Sequence, residues 1–448
     1  MLNRAQQPPI KIAEHISIPQ PAFINLNNGS KLLVINEGDV DVCRIDILFN
    51  AGSRYQTQKL EAVASTSLMP EGTKKYTSQQ ISEYFDFWGS FINVNADKDF
   101  ARVTAYTLTK HLSQTLDRLE HIIKEPTYPT DEVRVWASRG KQNLTVQLDK
   151  TSTIARMELF KNIYGENHPY GMFAMPTDYD KISRENLAGF HSSNFGSEGA
   201  IIILSGKISD THINEAVKYL GTAKWGNGKL GSNAIEDSNP NLGKQFVKKD
   251  NAVQSAIRIG CEVCHRTHPD FTDLSVANTL LGGYFGSRLM KNIREDKGYT
   301  YGIGSYMVSL RDSTLLAIST EVGANFTKNA LHEIWKEIDR LKKEPVPLAE
   351  LNKIRSHLTG EVLRSFNGPF ATADSIIGLL NYNNLDYSFH DRLMNSIKHI
   401  NPERIMELAN KWFNQETMVE CVVGPEIRFS PMHLPFNFML NCSKIYPS

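Results

Sequence analysis

The chain has 448 residues, with 49 Lys and Arg against 49 Asp and Glu, so its formal net charge is zero. Hydrophobic residues make up 41% and charged residues 22%, which is typical of globular proteins and excludes a disordered or collagen-like chain. The charge balance also argues against a dedicated nucleic-acid-binding protein, because such proteins usually carry a strong basic excess.

Hydrophobic patterns predict the elements of the first half in chain order. A strand at 44–50 precedes a short loop and a helix of small residues that starts at Ala62. Thr77 and Gln80 fit a capping box, which predicts a helix that ends at Gly89. The patterns that follow predict hairpin strands at 91–95 and 101–106, a helix at 112–125, a long helix at 131–165 that is interrupted near 151, and a buried strand at 199–206.

A stretch rich in Gly, Asn and Ser at 225–245 has no apolar period and predicts a linker between domains at 1–224 and 246–448. The second half repeats the order strand, loop, helix, and Gly52 and Gly260 mark corresponding points 208 positions apart. Its predicted elements are strands at 255–260 and 417–424 and helices at 274–283, 328–343 and 348–364. Strands and helices mixed in each half indicate duplicated domains of the α+β class.

Cysteine use and the termini bear on the compartment. The five cysteines are Cys43, Cys261, Cys264, Cys421 and Cys442, an odd and sparse set that does not suggest a disulfide framework. The first residues lack the apolar core of a signal peptide, and no apolar run approaches the ~20 residues of a membrane-spanning helix. We therefore expect a cytoplasmic protein without a membrane span, or a periplasmic one if a leader has been removed.

The most specific pattern lies at 280–301: a Gly-Gly pair, an Arg-Leu pair on a predicted helix, and then Ile-Arg-Glu-x-Lys-Gly-x-x-Tyr. It closely resembles the C-terminal half of the pitrilysin/insulinase-type zinc peptidases, including the branch of the mitochondrial processing peptidases. Segments at 52–56, 70–77, 167–171 and 190–206 match the family in the same order. The resemblance implies two homologous, α/β-sandwich-like domains, each with a mainly antiparallel sheet packed with helices.

The family's chemistry depends on an H-x-x-E-H motif on a helix, whose two His bind zinc and whose Glu activates water. In the matching window, Val63, Thr66 and Ser67 stand in place of the first His, the Glu and the second His. The stretch 134–148, which matches the helix that supplies a carboxylate ligand, contains no Asp or Glu. Aliphatic and hydroxyl side chains cannot replace imidazole and carboxylate. The resemblance therefore implies no zinc and no cofactor in this chain, with zinc only in a partner subunit.

In the branch of the family that divides catalysis between two chains, the chain without zinc carries an Arg and a Tyr in its second domain. Arg294 and Tyr301 match this spacing of seven residues. The resemblance implies that both residues reach the partner's active site, bind the scissile carbonyl as charge develops on its oxygen, and hold the substrate backbone. The residues alone leave another interpretation open, in which the Arg pairs with Glu295 or Asp296 and the Tyr fills the core.

Cys261, Cys264 and His265 form a Cys-x-x-Cys-His sequence, which is typical of covalent haem attachment and can also be interpreted as a zinc knuckle. The alternative is the end of a strand that continues into a surface loop. We favour this alternative, because haem attachment requires export and a single turn that supplied four zinc ligands would be strained.

The sequence therefore predicts a non-catalytic subunit of a heterodimeric zinc metallopeptidase, inactive alone, whose partner is a paralogous subunit with an intact zinc motif. Family members bind extended peptides at a sheet edge, and the matching candidate edge here is the strand at 91–95. The alternative function is a non-enzymatic scaffold or a peptide-binding homodimer similar to core subunits of respiratory complexes. Neither interpretation includes a nucleic-acid partner.

Overall fold

The computed structural model describes residues 19–229, 235–380 and 385–426. Residues 230–234 of the predicted linker and Cys442 lie outside these ranges. The elements of the first half are β1 (Ala22–Asn25), β2 (Lys31–Asn36), β3 (Val42–Phe49), α1 (Glu61–Ser67), α2 (Ser78–Trp88), β4 (Phe91–Ala96), β5 (Ala101–Leu108), α3 (Leu112–Lys124), α4 (Thr130–Leu148), α5 (Thr151–Tyr164), α6 (Arg184–Asn194), β6 (Ile201–Gly206) and α7 (Asp210–Leu220).

The second half begins within the predicted linker, because its first strand starts at Gly243. Two segments, Thr279–Gly283 and Met290–Asp296, are π-helical. The other elements are β7 (Gly243–Lys248), β8 (Gln254–Val263), α8 (Phe271–Asn278), β9 (Thr300–Ser309), β10 (Thr314–Gly323), α9 (Thr327–Lys343), α10 (Leu348–Arg364), α11 (Pro369–Leu380), α12 (Ser388–His399), α13 (Pro402–Trp412) and β11 (Val419–Gly424).

The two halves form two sheets with corresponding strand orders. The first sheet runs β1-β2-β6-β3-β5-β4 and the second runs β7-β11-β8-β10-β9. Only one pair in each sheet is parallel, β2 with β6 and β7 with β11, and the remaining pairs are antiparallel. The predicted α+β fold with two homologous, mainly antiparallel sheets is confirmed.

The glycines chosen as anchors of the repeat do not correspond. Gly260 lies inside β8, which ends at Val263, whereas Gly52 lies after the end of β3 at Phe49. Gly260 has a local reason, because a Cβ there would lie 2.5 Å from the carbonyl oxygen of Leu316 on β10.

Local signals in the sequence are confirmed where they are strongest. Thr77 accepts a hydrogen bond from the backbone N–H of Gln80 and the Gln80 side chain accepts one from the Thr77 N–H, so α2 starts with the predicted capping box. The helix ends at Gly89, whose φ of 60° lies in the left-handed region. The predicted long helix is two helices that break at Asp149 and Lys150.

The two halves exchange helices. α5 follows the first sheet's hairpin in sequence, yet its residues Ile154 and Leu159 pack among Ala317 and Cys421 of the second sheet. In return, α11 of the second half packs on β2 and β6 of the first sheet. Among the described residues, two of the three core clusters therefore contain side chains from both halves, whereas the third consists of first-half residues alone. Within the described ranges, no helix combines the length and the apolar character that crossing a membrane requires.

Candidate functional site

α1 contains the window that resembles the family's zinc helix, and the three side chains of that window differ in burial. Val63 lies on the exposed side of the helix, and Ser67, one turn later, is half-buried. Thr66 is fully buried, and its hydroxyl donates a hydrogen bond to the Ala62 carbonyl at 2.8 Å. The position that matches the catalytic Glu therefore holds a hydroxyl that is already bonded within its own helix and cannot serve as a general base.

Ser67 lines a cavity of about 510 Å³ whose opposite wall is α4. The stretch 134–148 therefore faces the degenerate helix, as the resemblance implied. Two carboxylates, Glu71 and Glu132, also line this cavity, although the matched windows contain no acid. Helical periodicity could have identified Glu132, because it lies one turn before Trp136 on the same face of α4.

These residues do not fit the zinc site of the family. The cavity lining contains no His and no Cys; its polar groups come from carboxylate, amide, hydroxyl, indole and guanidinium side chains. Catalytic zinc in H-x-x-E-H enzymes is bound by two imidazoles and a further protein ligand. Across the part of the chain that the structure describes, no three side chains of His, Cys, Asp or Glu converge into a group that could hold a metal ion.

Gly140, in the middle of α4, lines this cavity and packs closely against Tyr179, which lines it too. A Cβ on Gly140 would lie 2.2 Å from Cε1 of the Tyr179 ring. Helix propensity alone favours Ala over Gly by about 1 kcal/mol, but overpacking against a fixed ring costs about 1–3 kcal/mol. We expect Gly140→Ala to lower the free energy of unfolding, as measured by urea denaturation.

Gly189 of α6 is the matched control, because nothing lies within 4 Å of a Cβ built there. Gly189→Ala should raise the free energy of unfolding by up to about 1 kcal/mol. If both substitutions were stabilising to the same extent, the close packing of Tyr179 on α4 would be wrong.

The structure brings Arg294 and Tyr301 together. Arg294 lies on the π-helical segment Met290–Asp296, and its guanidinium carbon is 5.1 Å from the centre of the Tyr301 ring on β9. The same guanidinium carbon is also 4.8 Å from the ring centre of Phe285. Tyr301 is 91% exposed and Phe285 is 62% exposed.

The competing interpretation of this pair is wrong. Tyr301 does not fill the core, because it is among the most exposed aromatic residues of the chain. Arg294 forms no ion pair with Glu295, with Asp296 or with any other residue in the described ranges. Its donors are therefore available to a ligand.

Two helices anchor the segment that carries Arg294. The Asn292 side-chain amide donates to Glu333 at 2.9 Å and to Glu337 at 2.7 Å, both on α9. Arg288, from the Arg-Leu pair of the sequence pattern, forms a two-point ion pair with Glu350 of α10, with both distances at 3.0 Å. The backbone is thus fixed on one side, while Arg294 extends on the other.

β4 is an edge strand, as predicted for the segment at 91–95. It lies at the end of the first sheet and pairs with β5 alone. Its residues alternate between exposed and half-buried, with Phe91, Asn93 and Asn95 on the exposed side. α1 contacts β4, so this edge and the degenerate zinc helix are neighbours.

A buried polar cluster at the junction of the two halves has no counterpart in the sequence predictions. Asp99 accepts hydrogen bonds from the Arg54 guanidinium at 3.0 Å, the Tyr170 hydroxyl at 2.8 Å and the Arg311 backbone N–H at 3.0 Å. Burial raises the pKa of the Tyr170 phenol, which keeps its proton on the donor. Arg311 lies in the turn between β9 and β10, so Asp99 ties this turn to the first half.

The Asp99 cluster gives a structural role to two of the segments that carry the family resemblance. Arg54 belongs to the segment at 52–56 and Tyr170 to the segment at 167–171, and both converge on Asp99. Neither residue lines the cavity beside α1, and through Asp99 both connect the first half to the β9–β10 turn of the second.

The Cys-x-x-Cys-His sequence lies at the end of a strand. Cys261 is buried within β8, which ends at Val263. The two ring nitrogens of His265 contact the Arg311 carbonyl and the Thr267 hydroxyl, each at 2.9 Å. Burial raises the pKa of Cys261 to about 12 and that of Cys264 to about 11. Both thiols are therefore protonated at neutral pH and are poor nucleophiles.

The described cysteines, Cys43, Cys261, Cys264 and Cys421, are all free and buried. In a Cys442→Ser variant we expect the four remaining thiols to stay unreactive toward Ellman's reagent in the native chain at neutral pH. They should react together once urea unfolds the chain, because burial and protonation both suppress thiolate attack. Rapid reaction of Cys261 or Cys264 in the native chain would contradict this description.

Comparison with known proteins agrees with the geometry. The family described as Insulinase (Peptidase family M16) matches residues 31–173, and the family described as Peptidase M16 inactive domain matches residues 181–358. An uncharacterized zinc protease of Bacillus subtilis (strain 168) is 25% identical over 396 residues, which cover 87% of this chain and 95% of that protein. The human mitochondrial-processing peptidase subunit beta is 21% identical over 425 residues, covering 92% of this chain and 86% of that protein.

Solved structures show the same fold. A peptidase M16 inactive domain from Pseudomonas fluorescens has a TM-score of 0.83 and 22% sequence identity, and the match covers 92% of this chain and 100% of that chain. A protease from Helicobacter pylori has a TM-score of 0.80 at 17% identity, covering 91% of this chain and 100% of that chain. The two family matches, the full-length relatives and the fold agree: this chain belongs to the M16, or insulinase, family of peptidases.

Proposed function

We propose that this chain is the non-catalytic subunit of a heterodimeric M16 metallopeptidase, with domains at 1–224 and 246–448 around a linker at 225–245. It binds extended peptides and contributes Arg294 and Tyr301 to the zinc site of a paralogous partner. The observation that carries the proposal is a contrast within one chain. The residues beside α1 do not fit zinc, whereas the Arg294 guanidinium lies against the ring of Tyr301, which is 91% exposed.

The chemistry of the pair suits a developing negative charge. The partner's zinc would activate the attacking water. The in-plane N–H groups of Arg294 and the hydroxyl of Tyr301 can both donate hydrogen bonds to the scissile carbonyl oxygen as its charge increases. Because the guanidinium forms no ion pair within the described residues, these donors need not break a salt bridge before they bind substrate.

The test is reconstitution. The purified chain should cleave none of a set of fluorogenic peptides, with or without added zinc. Co-expression with a paralogue from the same genome that has an intact H-x-x-E-H motif should yield a complex that cleaves peptides, while the paralogue alone should be much less active. Zinc-dependent cleavage by this chain alone would contradict the proposal.

The same preparation tests the scaffold alternative. Size-exclusion chromatography with light scattering measures the mass of the purified chain and of its mixture with the paralogue. A stable homodimer that ignores the paralogue would favour a scaffold, whereas a one-to-one complex of the two chains supports the subunit role.

A further inference from the structure

Phe285 is exposed to solvent because of the conformation of the two residues on either side of it. It lies between the two π-helical segments, and the core clusters of the described residues do not include it. The preceding Tyr284 turns inward and stacks on His357 of α10, with ring centres 4.9 Å apart. The following Gly286 permits this turn, because a Cβ there would lie 2.8 Å from the Tyr284 ring. The loop thus buries one aromatic ring and exposes the next.

Arg294 is held by two rings from separate elements. Its guanidinium carbon is 4.8 Å from the Phe285 ring centre and 5.1 Å from the Tyr301 ring centre. Aromatic rings attract a guanidinium through its flat faces, and this contact leaves the N–H donors at the edge of the group free. A long, half-buried side chain without an ion pair would otherwise sample many rotamers.

We propose that Phe285 is a positioning residue that, together with Tyr301, keeps the edge of the Arg294 guanidinium directed outward for a peptide carbonyl oxygen. The inference rests on the proposed function, and it adds a residue that the family's Arg and Tyr pattern does not contain. Phe285 acts through Arg294: its ring reduces the number of conformers that Arg294 must give up when substrate binds.

The first measurement needs no substrate. In a deuterated chain with isotope-labelled Arg, the Nε–Hε signal of Arg294 is assigned by its loss in Arg294→Lys. Ring currents from Phe285 should displace this signal, so Phe285→Leu should shift it and Phe285→Tyr should largely preserve it. Phe87 is the matched control, because it is 77% exposed on α2, and Phe87→Leu should leave the signal unchanged. An unmoved signal in Phe285→Leu overturns the proposal.

The second measurement uses the reconstituted complex. Phe285→Leu should lower kcat by about 10- to 100-fold, which is the range expected when a catalytic group is misplaced, while Phe285→Tyr retains most of the activity. In an Arg294→Ala background, Phe285→Leu should have no further effect. Normal turnover of Phe285→Leu beside a defective Arg294→Ala overturns the positioning role and leaves the proposed function standing. If Arg294→Ala is itself fully active, the proposed function fails and this inference fails with it.

Discussion

Replacing Arg294 by Ala should lower kcat/KM of the reconstituted complex by about 10²- to 10³-fold, the loss observed when one donor to a developing oxyanion is removed. The fold should not change, because Arg294 contacts two exposed rings and has no ion pair in the described ranges whose loss would leave a buried charge.

The measurement is single-turnover cleavage of a fluorogenic peptide, with complex formation checked by light scattering. Arg364→Ala serves as the matched control, because Arg364 is an exposed cation of the same half and pairs with Glu361. Tyr301→Phe removes one hydroxyl donor and should have a smaller effect than Arg294→Ala. Wild-type rates for Arg294→Ala in an intact complex would show that the pair has no role in the partner's site.

Signals that act within a few residues were sufficient to predict most of the fold. The capping box of Thr77 and Gln80 and the left-handed Gly89 locate both ends of α2, because each depends on hydrogen bonds over three or four positions. The alternation at 91–95 and 101–106 locates the β4–β5 hairpin for the same reason. The repeat of two sheets follows from the same local patterns, which occur twice.

Contacts between distant parts of the chain could not be predicted. Asp99 and the Arg311 N–H are 212 positions apart, and the identity of neither residue predicts that it has a buried hydrogen-bond partner. The packing of α5 on the second sheet could not be predicted either, because periodicity identifies the apolar face of a helix but not the sheet that this face covers. The sequence did not predict Glu132 as a site residue, because the stretch that matches the ligand-bearing helix begins at residue 134. The structure places Glu132 in the lining of the same cavity as Ser67.

Replacing Asp99 by Ala should lower the free energy of unfolding by about 2–4 kcal/mol, because it removes one of the two carboxylates that pair with the buried Arg54 and the acceptor of two further donors. The side chains of Arg54 and Asp99 are 1% and 7% exposed, and the Arg54 guanidinium would keep only its ion pair with Asp312, whose side chain is 45% exposed. The substitution also leaves the Tyr170 hydroxyl and the Arg311 N–H without their acceptor. Because Asp99 joins the two halves, both should become less stable together.

Urea denaturation followed by fluorescence measures this loss, and Asp131→Ala is the matched control. Asp131 is 86% exposed and pairs with Arg134, which is 78% exposed, so its removal should cost less than about 1 kcal/mol. Asp99→Asn should have an intermediate effect, because the amide oxygen still accepts hydrogen bonds but one of the two carboxylates that pair with Arg54 is lost. Equal losses for Asp99→Ala and Asp131→Ala would mean that this cluster does not hold the two halves together, and that other contacts, such as the exchange of α5 and α11 and the ion pair of Arg44 with Asp374, do so.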